Sequence, residues 1–180
     1  MHKNELRFQM RQLKRQFTQQ QLCELSLPII ERLKPLLVRA QNIVAYYSLV
    51  DEVDTHYLID DLLAAGKSVY LPKVVSDTEM VLCQYTGRDS LLKGAFGIME
   101  PIGKVFPKEE YKDIDVVLVP GVAFDKKNHR LGRGKGYYDR FLSSFSSLRS
   151  TVFYGVCFDF QFVDAIPAEA HDMCVDGVIS

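Results

Sequence analysis

The sequence is sparing with the features that mark secreted, metal-stapled or membrane-bound chains. It holds 4 cysteines, Cys23, Cys83, Cys157 and Cys174. None form a CxxC pair and none stand beside histidine at zinc-finger spacing, which argues against a zinc module or a dithiol redox pair. Most lie in apolar surroundings, as free buried cysteines do. No apolar run is long enough to span a bilayer. The first residues are polar and basic and lack the apolar core of a signal peptide. A reducing, cytoplasmic setting is the expectation. The formal net charge is −1, so no global field recruits nucleic acid or an anionic membrane. Any basic function must be local. Internal repeats and low-complexity tracts are also missing.

What is present is an ordinary globular balance, with 47% hydrophobic and 25% charged residues in a chain of 180. That length fits one domain, residues 1–180, which buries about 70% of the surface of its unfolded chain. Leu6, Met10, Leu13 and Phe17 recur at helical spacing from about Asn4 to Phe17. Lys3, Arg7, Arg11 and Lys14 form a second stripe beside them, readable as a solvated helix face. Thr18 with Gln21 resembles a capping box that opens a second helix, and Pro28 and Pro35 are expected to limit or segment it. Asn42 to Leu49, rich in Val, Ile and Tyr, reads as a buried strand. Asp54 or Thr55 then caps a helix carrying Leu58, Ile59, Leu62 and Leu63, which Gly66 ends. Lys67 to Leu71 is a further strand, stopped by Pro72. Such a strand–helix–strand unit usually lies on a parallel sheet. Met80–Tyr85, Asp115–Val119, Thr151–Phe158 and Gly177–Ile179 are the remaining strand candidates. The segment from Gly87 to Pro107 is read as a long loop around the site. The expected fold is a single-domain α/β sandwich of three layers, with helices on both faces of a mostly parallel sheet.

The richest stretch is Arg130-Leu131-Gly132-Arg133-Gly134-Lys135-Gly136-Tyr137-Tyr138-Asp139-Arg140, soon after the apolar run Val116–Pro120. Glycine lets a backbone N–H approach a phosphate closely and can take positive φ. Successive N–H groups in such a turn make an anion nest, and a following helix start adds partial positive charge. Arg130, Arg133 and Lys135 add full charges. The stretch therefore reads as a phosphate cradle, against the plainer reading of a mobile solvated turn. It is not a Walker A motif, because Gly136 follows Lys135 where Ser or Thr belongs. Nor does its glycine spacing match the dinucleotide fingerprint.

Other residues offer chemistry with an ordinary alternative beside each. Asp139 is placed to hold magnesium, and Asp172, on a turn near the last strand, can join it, since magnesium prefers oxygen ligands; a plain turn aspartate is the alternative. Glu52 can accept from a ring N–H of a bound heterocycle, or it and Asp54 can cap the next helix. One of Tyr46 and Tyr47 faces the core and leaves the other for a pocket. Phe96 through Pro101 offers apolar contacts and the carboxylate of Glu100, which serves a ligand or the surface. His2, His56 and His129 read as surface or capping residues, and His171 as a weak candidate for proton transfer.

Pro120-Gly121-Val122-Ala123-Phe124-Asp125 followed by Arg130 through Asp139 resembles the 5-formyltetrahydrofolate cyclo-ligase family, also called 5,10-methenyltetrahydrofolate synthetase. The resemblance extends over nearly the whole chain, through Lys3–Arg7, Tyr47–Thr55 and Pro167–Asp176. It implies an enzyme dependent on ATP and magnesium that converts 5-formyltetrahydrofolate to 5,10-methenyltetrahydrofolate and releases ADP and phosphate. It implies ATP contacts from Lys3, Arg7, Arg130, Leu131, Gly132, Arg133, Gly134, Lys135, Gly136, Tyr137 and Tyr138. It implies folate contacts from Tyr47, Glu52, Glu100, Arg133, Gly134, Lys135, Gly136 and Tyr137. Asp139 and Asp172 serve magnesium, and Arg133 and Lys135 carry the catalytic charge. One departure stands before the cradle. Where the family commonly has a glycine, this chain reads Lys126-Lys127-Asn128-His129, and Asn128 is expected to keep the turn because asparagine tolerates the left-handed region.

The expected partners are therefore small molecules, ATP and 5-formyltetrahydrofolate, with no nucleic acid and no membrane, and a monomer is favoured. Two other classes compete. A non-catalytic nucleotide- or folate-binding protein would keep the cradle, but the presence of both Asp139 and Asp172 argues against it. A nucleic-acid module built on Arg130, Arg133, Lys135 and Arg140 would need a basic surface that the near-neutral charge does not supply.

Overall fold

The computed structural model describes residues 2–94, 98–145, 150–169 and 171–180. Two helices come first, α1 (Lys3–Lys14) and α2 (Gln19–Leu37). Then follow β1 (Asn42–Val44), α3 (His56–Ala64), β2 (Ser68–Val74) and β3 (Met80–Tyr85). Three short strands come next, β4 (Leu91–Lys93), β5 (Met99–Pro101) and β6 (Val105–Phe106). β7 (Val116–Pro120), β8 (Ala123–Asp125) and β9 (Arg130–Leu131) lead to α4 (Tyr137–Ser143). β10 (Val152–Val156), β11 (Phe162–Val163) and β12 (Gly177–Ile179) complete the chain.

The main sheet has the order β12-β10-β7-β1-β2-β3-β6. β12, β10, β7, β1 and β2 are parallel, and β3 and β6 add an antiparallel edge. Successive strand residues point to opposite faces. Ile43, Val69, Leu71, Val116 and Leu118 accordingly join the helices α2 and α3 in one core. Val44, Tyr70, Val117, Val119 and Phe153 join Phe141 and Leu142 of α4 in the other. The expected three-layer α/β sandwich is what these two cores build. No helix among the described residues is long and apolar enough to cross a membrane.

A smaller sheet, β11-β8-β9, carries α1. Leu6 and Met10 pack on Ala123, Leu131 and Ile166. This contact positions the site, because it lays the Lys3 and Arg7 side of α1 against the start of the glycine loop. Leu13 packs at the margin of the same cluster, and Phe17 lies beyond the helix and stacks on Phe160 at 4.7 Å.

Several local readings need correction. α2 runs unbroken through Pro28 and Pro35. Both prolines lie on its exposed side, where carbonyls that lose an N–H partner can turn to water. The buried stripe Leu22, Ser26, Ile29, Leu33 and Leu37 holds the helix together. β1 ends at Val44 rather than Leu49. Beyond it, side chains replace the ladder: Thr55 Oγ1 donates to Tyr46 O and His56 Nε2 meets Ser48 O at 3.1 Å. β2 continues through Pro72, which pairs with Leu82. Tyr70 O accepts from Ala45 N–H on the β1 side, so Pro72, two residues on, faces the side β1 has already left. The Gly87–Pro107 segment is not one loop: among its described residues it holds the 3₁₀ turn Arg88–Ser90 and β4, β5 and β6. Other local readings hold. Thr18 Oγ1 accepts from Gln21 N at 3.2 Å, and Gly66 ends α3 at φ 78°. Thr55 is the N-cap residue of α3, while the Asp54 carboxylate accepts from His56 N at 3.0 Å.

Candidate active site

The glycine loop forms one wall of a cleft of about 620 Å³. α1 contributes Lys3 and Arg7 to it. β9 contributes Arg130 and Leu131, and the connection from it to α4 contributes Gly132, Gly134, Lys135 and Gly136. α4 adds Asp139, Arg140 and Ser143, and the segment before β12 adds Glu169, His171, Asp172 and Met173. Five cations and three carboxylates thus meet around one space.

The charges are paired unequally. Arg130 is buried, with its side chain 3% exposed, and its Nη2 donates to Asp139 Oδ2 at 3.0 Å. Its guanidinium also lies over the Tyr138 ring, 5.4 Å from the centroid. Lys3 Nζ donates to Asp172 Oδ2 at 2.6 Å and lies 3.4 Å from Glu169. Burial would raise the Asp172 carboxyl, but the hydrogen bonds from Lys3 and from Glu169 N–H outweigh it and hold its pKa below the ordinary value. Met173 N–H reaches Asp139 Oδ1 at 3.4 Å, so the two carboxylate-bearing segments are joined. Arg7 Nε donates to Gly132 O at 2.9 Å and fixes the loop to α1. Lys135 has no side-chain partner among the described residues. α4 is only seven residues long, so side chains, rather than a helix dipole, carry the positive potential.

Arg133 points the other way. Its Nη2 donates to Asp51 Oδ1 at 2.8 Å and to Glu52 Oε1 at 3.0 Å, on the turn after β1. Lys14, also buried, completes this network through Asp51 O and Oδ2. Burial works to raise the Asp51 carboxyl, yet Lys14 and Arg133 together bring it below its usual value. The basic stripe of α1 therefore divides: Lys3 and Arg7 enter the cleft, Arg11 is exposed, and Lys14 holds the Asp51 turn.

Except for His171, at the cleft's rim, the remaining candidates lie outside it. Tyr47 stacks on His56 with ring centroids 3.8 Å apart. The Tyr137 hydroxyl donates a hydrogen bond to Ser76 O at 3.1 Å, and Tyr138 packs edge-on to Phe141. Burial pushes the Tyr138 hydroxyl well up. Glu100 sits on β5 opposite Leu92. Phe96 and Gly97 lie outside the described residues. His171 is exposed and stands 3.2 Å from Glu169. Burial raises the thiol of Cys83 and pushes that of Cys157 up to about 12, so neither is a thiolate nucleophile at neutral pH.

The turn before the cradle keeps its shape. Asn128 stands at φ 62°. The buried Asp125 accepts from Lys127 N, His129 N, His129 Nδ1 and Ile166 N, all between 2.9 and 3.0 Å.

Sequence reasoning missed Arg140, Ser143, Glu169 and Met173 as cleft residues, and Asp51 and Lys14 as partners of the Arg133 network. Arg140 had a local signal: it lies four residues after Gly136, one helical turn. Ser143 follows Asp139 by one turn, and Glu169 and Met173 flank Asp172, so these too had local signals. Only Asp51 and Lys14 join through long-range contacts that no spacing announces.

Comparison with known proteins identifies the family. The model described as the 5-formyltetrahydrofolate cyclo-ligase family matches residues 1–180. The Escherichia coli K12 protein named 5-formyltetrahydrofolate cyclo-ligase is 32% identical over 174 residues, covering 94% of this chain and 95% of its own. The NMR structure of Aquifex aeolicus 5,10-methenyltetrahydrofolate synthetase superposes with a TM-score of 0.83 at 35% identity, over 99% of this chain and 89% of that one. A 5,10-methenyltetrahydrofolate synthetase from Mycoplasma pneumoniae gives 0.79 at 28% identity, over 99% and 98%. The chain is an enzyme, and it belongs to the 5-formyltetrahydrofolate cyclo-ligase family.

Proposed function

We propose that this enzyme uses ATP and magnesium to convert 5-formyltetrahydrofolate to 5,10-methenyltetrahydrofolate, releasing ADP and phosphate. The observation that carries the reading is the convergence of Lys3, Arg7, Arg130, Lys135 and Arg140 on the glycine loop. Such a density of positive charge beside open backbone suits an oligophosphate.

The chemistry needs charge neutralisation more than a protein nucleophile. The formyl oxygen is a poor leaving group. Its attack on the γ-phosphorus of ATP breaks the bond to the β–γ bridging oxygen and releases ADP. N10 then attacks the activated formyl carbon, phosphate departs with the former formyl oxygen, and the N10 proton leaves to that phosphate or to solvent. Lys135, without a side-chain partner among the described residues, is available to the transferring group. Arg7 holds the loop at Gly132 O and keeps the backbone N–H groups in place. Arg133, the second charge assigned to catalysis, spans from the loop to Glu52. It is suited to joining the phosphate end of the reaction to the folate, for which Tyr47 and Glu52 are the contacts we assign.

Magnesium fits the donor set. Asp139 and Asp172 each keep carboxylate lone pairs beyond their present hydrogen bonds, and this ion takes oxygen ligands. Held by these two residues, it would offset phosphate charge that the arginines and lysines leave.

The test is direct. Purified protein given 5-formyltetrahydrofolate, ATP and Mg²⁺ should produce the near-ultraviolet absorbance of methenyltetrahydrofolate. Absence of folate-dependent ATP turnover, or of any heat on titrating ATP into folded protein, would reject the proposal.

A further inference from the structure

We infer that Arg140 is an additional phosphate-binding residue of this cleft, gripping the same oligophosphate as the glycine loop. The inference deepens the ATP reading above and rests on it.

Four observations point to it. First, Arg140 N–H donates to Gly136 O at 3.1 Å, so the side chain starts one turn beyond the glycines and folds back over them. Second, the guanidinium is already aimed. Its Nε donates to Thr78 O at 2.7 Å and its Nη2 to Lys135 O at 2.7 Å. Its carbon lies 5.4 Å from the centre of the Tyr137 ring. Third, Gly136 makes room for it. A Cβ at that position would stand 2.8 Å from Arg140 Nη1, and Gly136 sits at φ 68°, where a side chain is strained in any case. Fourth, its charge is not neutralised. Among the described residues no carboxylate forms an ion pair with Arg140, whereas Lys3 and Arg130 are each matched by an aspartate.

Together these make a preorganised cation. Two backbone carbonyls occupy the Nε–Nη2 edge, which leaves Nη1, packed on the bare Gly136 backbone, as the donor for an anion in the cleft. Arginine binds phosphate oxygens through fixed planar donors. Because the rotamer is set before binding, less ordering entropy opposes association. The same contacts carry the Ser76–Thr78 turn to the loop, so a purely tethering role is the competing account.

The experiment uses the full chain and three variants, Arg140→Ala, Arg140→Gln and Arg140→Lys. Glutamine keeps a neutral donor for a backbone carbonyl and so preserves part of the tether. Steady-state KM for ATP and for 5-formyltetrahydrofolate, melting temperature, and calorimetric titration with ATP are measured for each. We expect Ala and Gln to raise KM for ATP roughly ten- to a hundredfold, with the folate KM within about twofold of wild type. Lys should fall between, since it keeps the charge and loses the fork. An unchanged ATP KM in folded Arg140→Gln would overturn the inference, as would failure of all three variants to fold, which would assign Arg140 to the scaffold. A wild-type protein without ATP binding would instead remove the underlying reading. That outcome is distinguishable from variants that bind ATP as well as wild type does.

Discussion

The guanidinium of Arg133 donates to the carboxylate of Asp51 at 2.8 Å, joining the glycine loop to the turn after β1. The same nitrogen reaches Glu52 at 3.0 Å. Arg133 thus stands between the phosphate cleft and the residues assigned to folate, and its side chain is half exposed. An ion pair this open contributes about 1 kcal/mol at most. Arg133→Ala should therefore shift the melting temperature by less than about 4 °C. Turnover should fall on the order of a hundredfold or more, as when a charge-stabilising donor is removed. Melting curves and steady-state kinetics on one preparation check both halves. A large loss of melting temperature with retained activity would contradict the assignment.

Asp139 pairs with the buried guanidinium of Arg130 and is also assigned to magnesium. Asp139→Asn keeps an oxygen acceptor but leaves Arg130 without a countercharge. A loss of stability of about 2 kcal/mol is expected, because removing one partner strands the other's charge. The magnesium concentration needed for half-maximal activity should rise. A denaturant titration and a magnesium titration separate the two effects; an unchanged magnesium curve would remove Asp139 from the metal site while leaving its role toward Arg130.

Local chemistry was legible in the sequence where a few neighbouring residues decide it. The Thr18–Gln21 box and the Gly66 terminus are satisfied within one turn, so their residue types announce them. Strand ends were less legible, because partners decide them. β1 stops at Val44 because Thr55 and His56 take over the carbonyls of Tyr46 and Ser48. β2 passes Pro72 because of which neighbour it has lost by then. The site divides along the same line. Lys3, Arg7, Arg130, Lys135, Asp139 and Asp172 line one cleft. The pairing of Arg133 with Asp51, 82 positions away in the chain, follows from the crossover topology and from nothing near either residue.

Acid should weaken the fold in a way that isolates Asp125. Burial works against its charged form, but hydrogen bonds from Ile166, His129 and Lys127 prevail and hold its pKa below the ordinary 3.8. A carboxyl that is more acidic in the folded chain than in the unfolded one adds stability above the unfolded value. That contribution disappears as pH falls through the folded value. Asp125→Asn should then cost on the order of 2 kcal/mol near pH 7, since an amide offers its NH₂ to donors that need an acceptor. The gap to wild type should narrow below about pH 4. Urea unfolding at several pH values measures it; a gap independent of pH would show that charge is not what these donors require.

Asn128 offers a test of backbone conformation alone. Its φ of 62° is the left-handed region, its N–H donates to Asp125 O at 2.9 Å, and its carbonyl accepts from Val175 N at 3.1 Å. The turn therefore pins both the cradle's approach and the chain before β12. An alanine there meets the full penalty of a Cβ against the following carbonyl, about 1–2 kcal/mol. Glycine meets none, though it gains freedom in the unfolded chain. Both lose the side-chain donation to Asp176 O at 3.3 Å, so that contact cancels in the comparison. Asn128→Ala should accordingly be less stable than Asn128→Gly by about 1 kcal/mol. Equal unfolding midpoints for the two variants would mean that the turn relaxes out of the left-handed region when asparagine is replaced. In that case the glycine loop, which begins two residues later, should also lose activity in both.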